Sequence, residues 1–186
     1  GPAPMGPLMR TRLHYDWHWV WPTGCGDIGN QGPHELDLSL WALQATKLPK
    51  RVISIGGRFG YDDDADSENT QFAICDYDEA PIFFEVRGLP QSSKVQGAMD
   101  HYKGIRVGVV VQCENGYFAG GRGGGKIYDN DGNKIADFHG DGGGRHQQNF
   151  IDAMRSRKNS DLRSHVRKGH LCAGLAHMAN TSYRLG

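Results

Sequence analysis

The chain has 186 residues, which suits a single domain built around one hydrophobic core. Its 21 Lys and Arg residues balance 21 Asp and Glu residues, so the formal net charge is zero, and nucleic acid, which needs clustered cations, is disfavoured as a partner. No apolar run approaches the roughly 20 residues of a membrane-spanning helix, so a membrane is disfavoured too.

The first 22 residues are rich in proline and aromatic side chains and show no sustained hydrophobic period. This composition predicts an N-terminal arm or linker over residues 1–22, ahead of a domain over residues 23–186. His14 and His18 are four residues apart, a spacing that would place both on one face of a helix. We nevertheless predict no metal site there, because the intervening residues are more typical of extended chain.

An aromatic cluster near the end of the arm comprises Trp17, His18, Trp19 and Trp21. Flat rings beside polar groups suit the C–H faces of a sugar, which indicates a substrate-binding surface. The same rings could equally pin the arm onto the core. The sequence leaves both interpretations open.

The densest group of candidate residues is Gly-Cys-Gly-Asp-Ile-Gly-Asn-Gln-Gly-Pro-His-Glu-Leu-Asp at 24–37. Its four glycines let the backbone bend sharply and approach a ligand. A helix is predicted over about 33–45, with Asn30 as a cap near its start. His34 would then lie in the first turn and Asp37 one turn later, where a carboxylate can orient an imidazole for general-base work. A histidine that merely caps or packs is an equal alternative.

From residue 51 to residue 138 the hydrophobic period changes to two, which predicts β-strands. The predicted strands cover residues 51–55, 70–77, 81–87, 105–112, 116–119, 126–128 and 134–138. Short turns join most neighbouring strands, and such hairpins require antiparallel pairing. Carboxylates cluster at 61–68, which lacks the spacing of an EF-hand and is interpreted as a solvated loop. The acidic segment at 129–133 looks like a calcium loop in isolation, but the flanking strands make it a hairpin turn.

The chain turns helical again over 145–157 and 166–183, where apolar residues recur at spacings of three and four. The predicted fold class is therefore α+β, a predominantly antiparallel open β-sheet with helices packed on one face. The order of strand, glycine-rich turn and helix that a dinucleotide fold requires does not occur. We accordingly predict no cofactor-binding residues within this chain.

Residues 24–37 resemble the Gly-Gly-Gly, Asp, Gly, His, Asp signature of the Gfo/Idh/MocA oxidoreductases, a family named for glucose-fructose oxidoreductase and inositol dehydrogenase. The residues in register are Gly24, Gly26, Gly32, His34 and Asp37. Cys25 replaces the middle glycine, and Asn30 occupies the acidic position four residues before the histidine. Further stretches that look like a bacterial subgroup of this family are 15–19, 86–89, 149–158, 169–171 and 180–186, so the resemblance covers nearly the whole chain.

The resemblance implies the C-terminal, substrate-binding and oligomerising domain of an NAD(P)-dependent oxidoreductase that acts on a sugar, cyclitol or related polyol. His34 matches the histidine that accepts or orients the hydroxyl proton beside the nicotinamide. The expected substrate-binding residues are Asn30, Asp37, Trp17, His18 and Trp19. NAD or NADP would be bound mainly by an upstream nucleotide fold, with a catalytic lysine, that these 186 residues do not contain. The chain alone is then expected to be inactive.

Two other functions stay open from the sequence. One is an NAD-dependent glycoside hydrolase or lyase of the same family, in which transient oxidation drives cleavage. The other is a non-catalytic carbohydrate-binding or assembly module, which Asn30 favours because an amide cannot accept the substrate proton. The family resemblance also implies a homo-oligomer formed through the sheet face.

Overall fold

A computed structural model describes residues 3–7, 13–90 and 100–186. The N-terminal helices are α1 (Leu13–Asp16), a 3-10 turn (Trp17–Trp19), α2 (Gly26–Asn30) and α3 (Gly32–Ala42). The strands are β1 (Arg51–Gly57), β2 (Thr70–Asp76), β3 (Ile82–Arg87), β4 (Val109–Cys113), β5 (Gly116–Gly121), β6 (Gly124–Tyr128) and β7 (Lys134–His139). The chain ends with α4 (His146–Ser156), a 3-10 turn (Asn159–Asp161) and α5 (Val166–Leu185). The predicted α+β class is confirmed.

The strands form two antiparallel sheets, where the sequence predicted one. The first has the order β1-β2-β3 and the second the order β4-β5-β6-β7. Strand β4 begins at Val109, four residues later than predicted, because Tyr102 and Ile105 form an isolated bridge around a tight turn. Lys103 and Gly104 both have positive φ in that turn, so the backbone there is not extended.

The main hydrophobic core lies between the first sheet and helices α3 and α5. Alternate residues of β2 point into it, as the period of two predicted. The fully or nearly fully buried apolar side chains of this core include Ile28, Leu36, Leu40, Ala73, Cys75, Leu175 and Ala176. Helix α5 packs across β1 and against α3, so the end of the chain supports the segment that carries His34.

Two local predictions in the N-terminal part are wrong. Residues 13–19 are helical rather than extended, since the Trp17 indole N–H reaches back to the His14 carbonyl oxygen at 3.2 Å and closes a turn. Helix α2 was not predicted at all, because five residues are too few to show a helical period.

The described residues contain no cluster of three side chains suited to hold a metal ion.

The C-terminal helices were predicted correctly, although they differ in burial. Helix α5 supplies several core residues, whereas α4 buries only Ala153. The apolar side chains Phe150 and Met154 of α4 are exposed. Among the described residues, no helix is both long enough and apolar enough to cross a lipid bilayer.

Candidate functional site

Residues 24–26 (hereafter the glycine turn) follow the hydrogen-bonded turn at 21–23 and lead the chain into α2, of which Gly26 is the first residue. A Cβ atom on Gly24 would collide with the carbonyl oxygen of His18, so only glycine fits where the turn passes the arm. Gly26 is buried and has a φ of +69°, which glycine adopts without steric cost. One connecting residue then separates α2 from α3.

His34 is exposed in the first turn of α3. Its backbone N–H donates to the carbonyl oxygen of Gln31 at 3.1 Å. Asn30, four residues earlier at the end of α2, is also exposed. Trp41 lies two turns after His34 on the same helix face and is 74% exposed. This face is therefore open to an approaching molecule, as proton transfer from a substrate requires.

Asp37 lies one turn after His34 but is bonded to a different residue. Its Oδ1 accepts a hydrogen bond from the thiol of Cys172 at 3.4 Å, which links α3 to α5. Burial, together with the negative charge of Asp37, raises the pKa of Cys172 to about 12, so the thiol stays protonated and can donate. In the described part of the chain, no hydrogen bond or ion pair joins His34 to Asp37. The structure thus does not form the predicted His34–Asp37 contact.

The aromatic cluster packs against the start of α2. The rings of Trp17 and His18 stack with centroids 3.8 Å apart. The indole N–H of Trp19 donates to Oδ1 of Asp27 at 3.0 Å, and the Trp19 carbonyl oxygen accepts from the backbone N–H of Asp66 at 3.1 Å. These bonds favour the interpretation in which the arm is pinned to the core, at least for Trp19.

Trp21 extends the same attachment. Its backbone N–H donates to Oδ1 of Asp66 at 2.7 Å. The guanidinium of Arg184, near the end of α5, lies 4.7 Å from the centroid of its indole ring, a cation–π distance. Part of the acidic loop 61–68 therefore serves to hold the arm.

Glu68 is the residue of this site that sequence reasoning missed. It was included in a loop predicted to be solvated, and for this residue the prediction is wrong, because Glu68 is 1% exposed. Within the described residues, neither carboxylate oxygen accepts a hydrogen bond from another residue. Burial raises the pKa of Glu68 to about 7, with the negative charge of Asp27 adding to the rise and Arg184 opposing it. The Glu68 carboxyl, which packs against Gly26, is therefore mostly protonated below about pH 7.

Buried amides connect this region to the sheet and to α5. Nε2 of Gln71 lies 3.1 Å from Oγ of Ser54 and 3.3 Å from Oδ1 of Asn180, and donates to both. Nδ2 of Asn180 donates in turn to the backbone carbonyl oxygen of Cys25 at 2.8 Å. All three side chains are buried, and the bonds between them fix the glycine turn relative to β1, β2 and α5.

The strand pairing bears on how a dinucleotide could be bound. Every strand pair in the two sheets is antiparallel, so the part of the chain that the structure describes contains no βαβ unit to cradle a dinucleotide. What this region provides is an exposed histidine and an exposed amide in the two short helices that follow the glycine turn. Such groups can bind and orient a polar substrate and move a proton.

No family model matches the chain, and no curated protein does either. Several solved structures share its fold. The WlbA dehydrogenase from Bordetella pertussis, in complex with NADH and UDP-GlcNAcA, is 17% identical with a TM-score of 0.56, and the match covers 96% of this chain and 50% of that one. The WlbA dehydrogenase from Chromobacterium violaceum, with the same ligands, is 16% identical with a TM-score of 0.57 and the same coverage.

A third match is the UDP-N-acetylglucosamine 3-dehydrogenase GnnA from Acidithiobacillus ferrooxidans, at 14% identity and a TM-score of 0.55. The match covers 98% of this chain and 51% of that protein. This chain thus spans about half the length of the dehydrogenases it resembles. At these identities the similarity shows the fold alone: this chain shares the fold of about half of each of these dehydrogenases.

Proposed function

We propose that this chain is the C-terminal, substrate-binding domain of an NAD(P)-dependent oxidoreductase that acts on a hydroxyl of a sugar, cyclitol or related polyol. The observation that carries the proposal is the exposed His34, held just after the glycine turn in a fold shared with half of a sugar-nucleotide dehydrogenase. Two of the similar dehydrogenases were solved with UDP-GlcNAcA, which makes a sugar nucleotide the first substrate to test.

In such a reaction the substrate carbon gives up a hydride and its hydroxyl gives up a proton. A nicotinamide cofactor, bound mainly by protein outside these 186 residues, supplies the hydride acceptor. The imidazole of His34 takes the proton, and in the reverse direction the imidazolium so formed returns it. The amide of Asn30 orients a neighbouring hydroxyl by hydrogen bonding, since it cannot act as a base.

The other predicted substrate-binding residues contribute to binding the substrate or to positioning the rings that bind it, and not to proton transfer. Asp37 uses Oδ1 for the Cys172 thiol, which leaves Oδ2 to accept from a substrate hydroxyl. Trp17 is 44% exposed and, with His18 stacked on it, can offer a ring to a sugar face. Trp19, bonded to Asp27, lies with its ring 5.5 Å from that of His18 and so helps to position it.

The test uses the natural protein that contains this chain, assayed for NADH or NADPH formation with sugar nucleotides, free sugars and cyclitols. We expect His34→Ala to lower kcat by about 10²- to 10⁴-fold, the contribution of a positioned acid–base group. Cofactor affinity, measured by fluorescence titration, should hardly change. The matched control is His177→Ala, an exposed histidine on α5, which should retain normal turnover.

Other results would lead to other functions. Near-normal turnover of His34→Ala would overturn the role of His34. Release of an aglycone without net NADH accumulation would indicate the glycoside hydrolase or lyase. Carbohydrate binding without any turnover in the natural protein would indicate a non-catalytic module. The 186-residue chain by itself is expected to bind substrate weakly and to turn over none.

We further propose that the chain forms a homo-oligomer through the outer face of the first sheet. Ile53, Ile74 and Phe83 are paired across β1, β2 and β3, so they form an apolar row on the side away from the helices. Ile53 and Phe83 are exposed, and Ile55 beside them is 66% exposed. Apolar residues grouped on one exposed sheet face are typical of a protein–protein interface.

A further inference from the structure

The carboxyl of Glu68 packs directly against the glycine turn. A Cβ atom on Gly26 would lie 3.4 Å from Oε1 of Glu68 and 3.5 Å from the hydroxyl oxygen of Ser67. Both side chains are buried almost completely, and among the described residues their oxygens have no hydrogen-bond partner in another residue. Unpartnered buried oxygens are uncommon in folded proteins, and they often mark a functional constraint.

Charged groups face Glu68 from the elements packed around it. Asp27 on α2 and Arg184 on α5 act on it in opposite directions, while burial has the larger effect on its pKa. On the side of the loop, the guanidinium of Arg58 donates to the backbone carbonyl oxygen of Ser67 at 3.1 Å. An ionised Glu68 would therefore lie near the negative charge of Asp27 with no hydrogen bond from a neighbouring residue to stabilise it.

Glu68 also affects groups on both sides of the turn. Burial and then the charge of Glu68 raise the pKa of the Cys25 thiol, which lies within the glycine turn. The same two causes, in the same order, raise the pKa of Tyr183 on α5. Glu68 is therefore close enough to the turn and to the end of α5 for its charge to act on ionisable groups in both.

We propose that Glu68 is a positioning residue for the glycine turn: its neutral carboxyl lets Asp27 remain bonded to Trp19, and its ionisation pushes Asp27 and the turn out of that arrangement. The glycine turn is followed by α2 and then by α3, which carries His34, so a change at the turn lies close in the chain to the proposed catalytic residue. Any consequence of this movement for catalysis by His34 rests on the proposed function. The conformational effect belongs to the chain itself and can be measured without any activity.

The experiment follows the indole N–H of Trp19 by ¹H–¹⁵N NMR in the 186-residue chain between pH 5.5 and 8.5. This N–H is bonded to Asp27, so its chemical shift reports the arrangement in question. All proteins, including the parent for this comparison, carry His18→Gln, because the His18 ring lies 5.5 Å from that of Trp19 and its removal leaves no second ionisable ring so close to the reporting indole. A Trp19→Phe variant identifies the signal.

In the parent we expect the Trp19 signal to shift with a midpoint near pH 7. In Glu68→Gln, which keeps the shape of the side chain but cannot ionise, the signal should stay at its low-pH position throughout. The matched control is Glu35→Gln, another carboxyl whose pKa is raised by burial, and it should titrate like the parent. A parent signal that does not titrate, or one that titrates equally in Glu68→Gln, would overturn the proposal.

Discussion

Asn180 donates a hydrogen bond from Nδ2 to the backbone carbonyl oxygen of Cys25 at 2.8 Å, so the last helix holds the glycine turn directly. The two residues are 155 positions apart in the chain. Asn180 is 5% exposed, and its Oδ1 accepts from Gln71 at 3.3 Å. A single buried amide therefore connects α5, β2 and the segment that leads to His34.

Removing this amide should destabilise the fold. Asn180→Ala leaves the Cys25 carbonyl oxygen and one Gln71 N–H without their partner in a buried place, and each such loss costs about 1–3 kcal/mol. We expect the free energy of unfolding in urea to fall by about 2–4 kcal/mol, since the two losses overlap. His177→Ala, an exposed position on the same helix, should change it little. Equal values for the two variants would contradict the structural role of Asn180.

Much of the fold follows from hydrophobic periodicity, which is a local signal. The helix that carries His34, the two C-terminal helices and most strands were predicted because their apolar residues recur at regular spacings. The division into two sheets was not, since it depends on whether strands β3 and β4 meet in space. The helical conformation of residues 13–19 was not predicted for a similar reason, because it is accompanied by specific contacts, such as that of Trp17 with His14, rather than by a hydrophobic period.

The candidate site was predictable only where residue type and spacing carry the signal. His34 and Asn30 could be chosen from the glycine-rich motif, and the structure exposes both. Glu68 could not, because it precedes β2, lies outside the alternation of that strand and follows several acidic residues that are exposed. Its burial depends on tertiary packing, including that of the glycine turn at Gly26, which no short stretch of sequence records.

Stability should depend on pH through Glu68. Its pKa is about 7 in the folded chain against an ordinary value of 4.5, so the folded state binds a proton that the unfolded state has already lost in this range. The free energy of unfolding should therefore fall as the pH rises from about 4.5 to about 7, by on the order of 3 kcal/mol, and this contribution should then level off.

Glu68→Gln should remove this loss, because an amide does not ionise. The quantity to compare is the difference between the unfolding free energies of the variant and the parent, measured in urea at several pH values. The variant should become more stable relative to the parent as the pH rises to 7. Glu114→Gln, an exposed carboxyl in the β4–β5 hairpin, serves as the control and should show no such trend. A constant difference for Glu68→Gln would mean that Glu68 ionises normally in the folded chain.

The proposed oligomer can be tested on the outer face of the first sheet. Ile55→Glu places a charge among exposed apolar residues of β1, where an interface would have to bury it at a cost of several kcal/mol. We expect light scattering to show a smaller species for this variant than for the parent. Val166→Glu, at an exposed position at the start of α5, is the matched control and should leave the mass unchanged. A monomeric parent would contradict the proposal.

Substitution of Trp19 separates the two interpretations of the aromatic cluster. Trp19→Phe keeps a ring but removes the N–H that Asp27 accepts at 3.0 Å, and a hydrogen bond to a charged group contributes about 1.5–3 kcal/mol. If Trp19 pins the arm, the variant should unfold at lower urea concentration while its affinity for carbohydrate is nearly unchanged. Trp17→Phe loses a bond between exposed groups and should cost less stability.

Carbohydrate affinity gives the second comparison. Because Trp17 is the more exposed ring, Trp17→Ala should weaken carbohydrate binding more than Trp19→Phe does. A Trp19→Phe variant of normal stability and reduced affinity would instead place Trp19 against the substrate.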